Sequence, residues 1–220
     1  MTRPRWVLVI PVKDASRGKS RLTVPGVERQ NLARAIALDT IVAAVACDRV
    51  DRVLVVSTDP VITREARGVD ILADPGPLAD PGVSGLNAAA AHGIATVDPQ
   101  RHRGVLLGDL PALTPSDLAQ ALDACAHAAE TANGHAVVAD AEGTGSTLVA
   151  AAPTAVWRSV FGPDSFARHR ALGFARADIP ATSTVRRDVD TELQLRAAAA
   201  QHTLGAHTTT VLSAARTLDL

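Results

Sequence analysis

Residues 7–12 read Val-Leu-Val-Ile-Pro-Val, an unbroken apolar run, and the residues that follow it (Lys13-Asp14-Ala15-Ser16-Arg17-Gly18) are polar or small. A run without polar alternation suits a strand covered on both faces, as in a mainly parallel sheet flanked by helices. Val53 to Ser57, Val105 to Gly108 and Ala136 to Ala139 read the same way. Between them the spacing turns helical. Leu38, Ile41, Val42 and Val45 share one face, as do Leu86, Ala90, Ile94 and Val97, and again Leu118, Ala121, Leu122 and Cys125. Thr114-Pro115-Ser116-Asp117 is a helix start, with a hydroxyl cap, proline at the first position and an acid at the third. Thr191 caps a last helix that uses Leu193, Ala197, Ala200 and Leu204. Strands alternating with helices predict an α/β fold, a three-layer αβα sandwich with a mainly parallel mixed sheet. The expected organisation is a single domain over residues 1–204, with 205–220 as a loosely attached tail.

Composition narrows the function. The chain has 220 residues, 22 basic and 23 acidic, for a formal net charge of −1. One domain of this length buries a sizeable core. Near-neutral charge argues against nucleic acid as a partner, since phosphate neutralisation calls for a basic excess. The longest apolar runs fall far short of a membrane span, and no basic-then-apolar leader opens the chain, so a cytoplasmic protein is expected. Cys47 and Cys125 have no metal-ligand or disulfide spacing. Only two of the basic residues are lysines, Lys13 and Lys19, and both lie in one loop, which suggests a local demand for ammonium groups.

In such sheets ligands bind beyond the carboxyl ends of the strands, so the loops at 13–22, 57–60, 74–87 and 108–111 carry the chemistry. The first holds Lys13, Arg17, Lys19 and Arg21 among small residues, a cradle for a polyphosphate. It is not a Walker A loop: Gly18-Lys19-Ser20 has Lys13 where the leading glycine belongs. Loop 74–87 enters a helix, and reads either as a wrap for a base or ribose, with Asn87 offering donor and acceptor, or as a plain connection. Gly108-Asp109-Leu110-Pro111 closes a buried strand and sets a carboxylate over the sheet edge, while Asp188-Val189-Asp190 places two more on one side of an extended segment. Three carboxylates suit divalent metal in phosphoryl or nucleotidyl transfer, although Asp190 equally suits a helix cap. Gly143 to Thr147 and Gly162 to His169 read as loops of small and hydroxyl residues that would grip a small phosphorylated acid. His169 reads as a surface helix residue in preference to a substrate contact.

Taken in order, these motifs resemble the guanylyltransferases of coenzyme F-420 biosynthesis over roughly residues 6–200. The resemblance implies the nucleotidyltransferase, nucleotide-diphospho-sugar transferase-like fold. It implies transfer of GMP from GTP to phosphoenolpyruvate, with 2-phospho-L-lactate or 3-phosphoglycerate as alternative acceptors. By motif, Asp109, Asp188 and Asp190 match the magnesium ligands, and Ser146, Gly162 and Ser165 match the acid site. Lys13, Lys19 and Arg21 match the catalytic nucleotide loop, and Lys13, Lys19, Asn87 and Gly108 the GTP site. The chain departs at Gly145-Ser146-Thr147, where relatives carry threonine at position 146, which leaves the contact open between Ser146 and Thr147. Hand-over of product to the next transferase of the pathway, and a monomer or small homo-oligomer, are further expectations. A pterin or sugar-phosphate acceptor, a glycosyltransferase and a non-catalytic nucleotide binder stand as rivals.

Overall fold

The computed structural model describes residues 4–16, 19, 21–76 and 85–218. Seven strands form one sheet: β1 (Trp6–Pro11), β2 (Val50–Val56), β3 (Asp70–Leu72), β4 (His102–Leu106), β5 (His135–Ala139), β6 (Ser146–Ala151) and β7 (Ala175–Arg176). Their order is β3-β2-β1-β4-β6-β5-β7. β6 pairs antiparallel with both β4 and β5, and every other pairing is parallel. The helices are α1 (Arg29–Val45), α2 (Pro60–Glu65), α3 (Gly85–Ala95), α4 (Pro115–Ala129), α5 (Ser165–Ala171), α6 (Glu192–Gln201) and α7 (Ala206–Leu218). This is the expected αβα architecture with a mainly parallel mixed sheet.

The apolar run of β1 is buried at every position, and its side chains alternate between two cores. Leu8 and Ile10 join Ile41 of α1 and Leu118 and Leu122 of α4 on one face. Val7 and Val9 meet Ala90 and Ile94 of α3, with Phe161 and Phe174, on the other. On the second face α3 sits close to the sheet, because Gly93 leaves room: a Cβ there would stand 2.5 Å from Val9 Cγ1. Thr114 caps α4 by accepting the Asp117 N–H, and Thr191 caps α6 in a reciprocal box with Gln194, as the sequence predicts.

A third cluster decides the site. Leu22, Leu32, Ile36, Val189, Leu195 and Ala198 pack together, with Leu204, Val211 and Leu212 against them. The expected loose tail is therefore corrected: residues 206–218 form α7, which closes this cluster beside α1. The signal is one buried acid. Asp39 of α1 accepts the N–H groups of His207 (2.9 Å) and Thr208 (2.8 Å), capping the incoming helix. Gly205 makes that approach feasible, since a Cβ there would fall 2.2 Å from the Asp39 carboxyl carbon. Its N–H donates to the Pro111 carbonyl at 2.8 Å, tying the start of α7 to the strand end that carries Asp109.

Candidate active site

A cavity of about 700 Å³ opens beyond the carboxyl ends of β1 and β4. β6 runs the opposite way, so its first residues open onto the same end of the sheet. Lys13, Lys19, Arg21, Gly108, Asp109, Ser146, Gly162, Ser165, Asp188 and Asp190 all line this cavity. Ten of the eleven residues singled out from the sequence thus meet in one place. The eleventh, Asn87, stands beside it. Its Nδ2 donates to the Phe161 carbonyl and its Oδ1 accepts the Phe161 N–H, both at 2.9 Å. That pair ties α3 to the segment leading into Gly162. Residues 77–84, most of the loop expected to wrap a base or ribose, lie outside the described residues, as do Arg17, Gly18 and Ser20.

The carboxylates are assembled through the backbone. Val189 is fully buried in the third core, which turns Asp188 and Asp190 on either side of it away from that core. The Val189 N–H donates to the Asp109 carbonyl at 3.0 Å, locking the two acidic segments together. Next to Asp109, the Leu110 N–H donates to Thr40 Oγ1 of α1 at 3.0 Å, while Leu110 itself is fully buried. Lys19 then enters from the first loop with a left-handed φ of 53°. Its Nζ donates to Asp109 Oδ2 (2.5 Å) and Asp190 Oδ1 (2.6 Å). Burial opposes the ammonium, but the two carboxylates outweigh it and hold Lys19 above its ordinary range. Asp190 is likewise held low, burial being overcome by Lys19 and, more weakly, Arg21. Arg21 is 76% exposed, with its guanidinium 3.8 Å from Asp190. Lys13 is exposed at the rim and has no side-chain partner among the described residues.

Asp188 is in the opposite situation. Burial, then the charges of Asp109 and Asp140, push its carboxyl up to about 8 against the pull of Lys19. Oδ1 of Asp188 and Oδ1 of Asp109 are both buried without a hydrogen-bond partner among the described residues. An all-oxygen donor set with orphaned, crowded carboxylate oxygens fits a hard divalent cation.

Sequence reasoning missed two acids. Asp140, at the end of β5, is buried and accepts the N–H groups of Thr144 (2.8 Å) and Gly145 (2.6 Å), folding the loop that delivers Ser146. Oxygens of Asp140, Glu142 and Asp188 lie within 4.8 Å of one another. The rule that picked Asp109, an acid just past a buried strand, would have picked Asp140 too. Asp59, fully buried, caps α2 and accepts the Ala15 N–H at 3.1 Å, with Arg34 Nε at 3.0 Å. It pins the base of the first loop, and Asp59-Pro60 is a readable helix start.

Ser146 opens β6 and lines the cavity, whereas Thr147, next along the strand, is fully buried and does not. Gly162 takes a φ of 129°, which side-chain-bearing residues rarely adopt. Its carbonyl accepts the Ser165 N–H, and the Phe166 N–H donates to Thr144 O, so the two hydroxyl-rich loops are joined. The expectation that His169 is a surface residue is corrected. It is fully buried against Phe161 and Phe174 because α5 packs its inner face on β5.

Comparison with known proteins bears on the fold and the family. Residues 6–179 match the family model described as guanylyl transferase CofC like. A phosphoenolpyruvate guanylyltransferase of Streptomyces scabiei is 44% identical, covering 97% of this chain and 98% of its own. One of Thermomonospora curvata is 42% identical, covering 96% and 89%. Among solved structures, a Methanothermobacter nucleotidyl transferase superposes with a TM-score of 0.53 at 16% identity, covering 90% of this chain and 97% of its own. The 4-diphosphocytidyl-2C-methyl-D-erythritol synthase of Anaerococcus prevotii gives 0.53 at 10% identity, covering 90% and 95%. These two likenesses bear on the fold, which is that of the nucleotidyltransferases. No helix among the described residues is long and apolar enough to cross a membrane. With most of its length matched by the family model and by relatives of full coverage, the chain belongs to the CofC-like guanylyl transferase family.

Proposed function

We propose that the protein transfers GMP from GTP to phosphoenolpyruvate, giving enolpyruvoyl-diphospho-guanosine and pyrophosphate in coenzyme F-420 biosynthesis. The observation that carries this reading is one cavity lined by two chemically distinct sets of groups: a cluster of carboxylates around Lys19, and the small and hydroxyl residues Ser146, Gly162 and Ser165. Relatives at 42–44% identity carrying that name supply the acceptor.

The chemistry follows from charge. A phosphate oxygen of the acid attacks the α-phosphorus of GTP in line, the bond to the β-phosphate oxygen breaks, and pyrophosphate leaves. The attacking oxygen is already ionised, so the protein supplies no nucleophile or general base. Its work is positioning and charge neutralisation. Lys13, Lys19 and Arg21 meet the triphosphate, and Gly108, just past the end of β4, lines the cavity beside them. Ser146, Gly162 and Ser165 hold the acid. Asn87 acts on Gly162 through its grip on Phe161. Asp109, Asp188 and Asp190 are the residues that would hold magnesium, which when bound neutralises charge building on the transferring group. The enzyme is read as cytoplasmic, handing its product to the next transferase of the pathway.

Pyrophosphate release from GTP and magnesium tests this, with phosphoenolpyruvate, 2-phospho-L-lactate and 3-phosphoglycerate supplied separately and a parallel run coupled to a pyrophosphatase. Release with phosphoenolpyruvate is expected. Release only with another acid would overturn the acceptor, and none with any acid would overturn the reading.

A further inference from the structure

Beside Ser146 lies a buried imidazole whose hydrogen bonds fix more than its place. His169 Nε2 faces the backbone N–H of Val160 at 3.0 Å. An N–H can only donate, so Nε2 is the acceptor and carries no proton. In a neutral ring the proton must then sit on Nδ1. The ring is neutral, since burial, with a smaller push from Arg168, lowers His169 to about 4.

Ser146 Oγ lies 3.1 Å from that Nδ1 and has no other hydrogen-bond partner among the described residues. The carbonyl of Ser165 also faces the ring. Whichever of the two oxygens takes the Nδ1 proton, Ser146 has no lone pair on the ring to donate to. Its own hydroxyl proton is therefore turned away from His169, and the side that is not protein is the cavity. Resting on the acid site proposed above, we propose that His169 is a positioning residue: Val160 locks it in the Nδ1–H tautomer, and that tautomer makes Ser146 an obligate hydrogen-bond donor to an anionic oxygen of the acid. A hydroxyl that can rotate is indifferent to donors and acceptors. One held in this way selects for an anion, and does so before the substrate arrives.

The test has two parts. In the first, nitrogen-15 NMR of the histidine-labelled protein at pH 7 reads the tautomer directly, without a variant. A protonated Nδ1 and bare Nε2 for His169 are expected, and the reverse would overturn the proposal. In the second, H169F fills the same aromatic pocket between Phe161 and Phe174 without ring nitrogens. H169N returns an amide N–H near the position of Nδ1, and H169Q returns one near Nε2. For folded variants, H169F and H169Q should raise KM for phosphoenolpyruvate roughly ten- to a hundred-fold, the range for a lost hydrogen bond to a charged group. KM for GTP should stay within about twofold, and H169N should recover part of the loss. An unchanged KM in H169F while S146A raises it would refute the role of His169. If S146A also leaves that KM unchanged, the acid-site assignment beneath it fails instead.

Discussion

Replacing Asp188 by asparagine should stabilise the metal-free protein while abolishing turnover. The carboxyl of Asp188 is pushed up to about 8 by burial and by Asp109 and Asp140, so between its ordinary value of 3.8 and about 8 the folded protein holds a proton that the unfolded chain has released. Below that window both states are protonated and the group contributes nothing. Through it, stability falls as pH rises. At pH 7 the interval from 3.8 is about three units, and at ~1.36 kcal/mol per unit this sets a ceiling of roughly 4 kcal/mol. An independent figure agrees. Carboxylate oxygens of Asp140 and Asp188 lie within 4.8 Å, and two unit charges at that spacing repel by roughly 3 kcal/mol at an effective dielectric of about 20.

Asparagine keeps the shape and removes the charge. For a chain of this size ~1 kcal/mol shifts Tm by about 2–4 °C. Thermal unfolding in a chelator at pH 7.5 should therefore show D188N melting several degrees above the parent, with the gap closing as pH falls toward 4. Titrating magnesium should raise Tm of the parent and leave D188N nearly still, because the parent alone keeps the full donor set. A D188N protein that melts at or below the parent at pH 7.5 would refute the claim that this carboxyl is held against its own repulsion. A gap that widens toward pH 4 would refute the direction of the linkage.

Lys19→Met should cut guanylyl transfer by at least about a hundred-fold, since it removes the ammonium between Asp109 and Asp190 and leaves their charges unanswered; steady-state pyrophosphate release measures it. Asp39→Ala removes the acceptor for two N–H groups at the start of α7 and should cost about 1–2 kcal/mol, read by denaturant unfolding, with amide exchange rising first along residues 206–215. Gly93→Ala drives a methyl to 2.5 Å from Val9 Cγ1 and 2.9 Å from Val56 Cγ2, and should cost about 1–3 kcal/mol of stability with KM values unchanged.

Most of the sheet was legible because burial on two faces leaves an unambiguous mark. β1 is apolar throughout, and the apolar stretches Val53–Val56 of β2, Val105–Leu106 of β4 and Ala136–Ala139 of β5 carry the signal, while the polar openings of those strands (Asp51 and Arg52, His102 and Arg103, His135) do not. Helix caps at Thr114 and Thr191 follow local rules. β6 is not among the strands the sequence predicts, because Ser146 and Thr147 continue a run of glycines and hydroxyls that reads as a loop. What makes Ser146 a strand residue is pairing across to Ala139, which no local pattern records. The burial of His169 escapes the sequence for a related reason. On a seven-residue helix rich in arginine the histidine reads as one more solvated group, and its burial depends on Phe161 and Phe174 arriving from other segments.

The clearest case is α7. Its residues Thr208, Thr209 and Thr210 carry weak helix propensity, so the segment looks detachable when read alone. Its helix is held from outside, by Asp39 at its start and by Val211 and Leu212 against the cluster of Leu22 and Val189. That cluster does more than anchor a terminus. Leu22 is three residues from Lys19, and Val189 lies between Asp188 and Asp190, so the apolar contacts that seat α7 also fix both partners of the central ion pair. Loss of α7 would lower activity before it unfolded the sheet, since the two large cores on either side of β1 do not include it. The separation between Lys19 and the carboxylates is thus set by packing on the side of the site away from any substrate. An acidic cluster that repels itself needs its spacing imposed by a neighbouring apolar core, because its own electrostatics would open it.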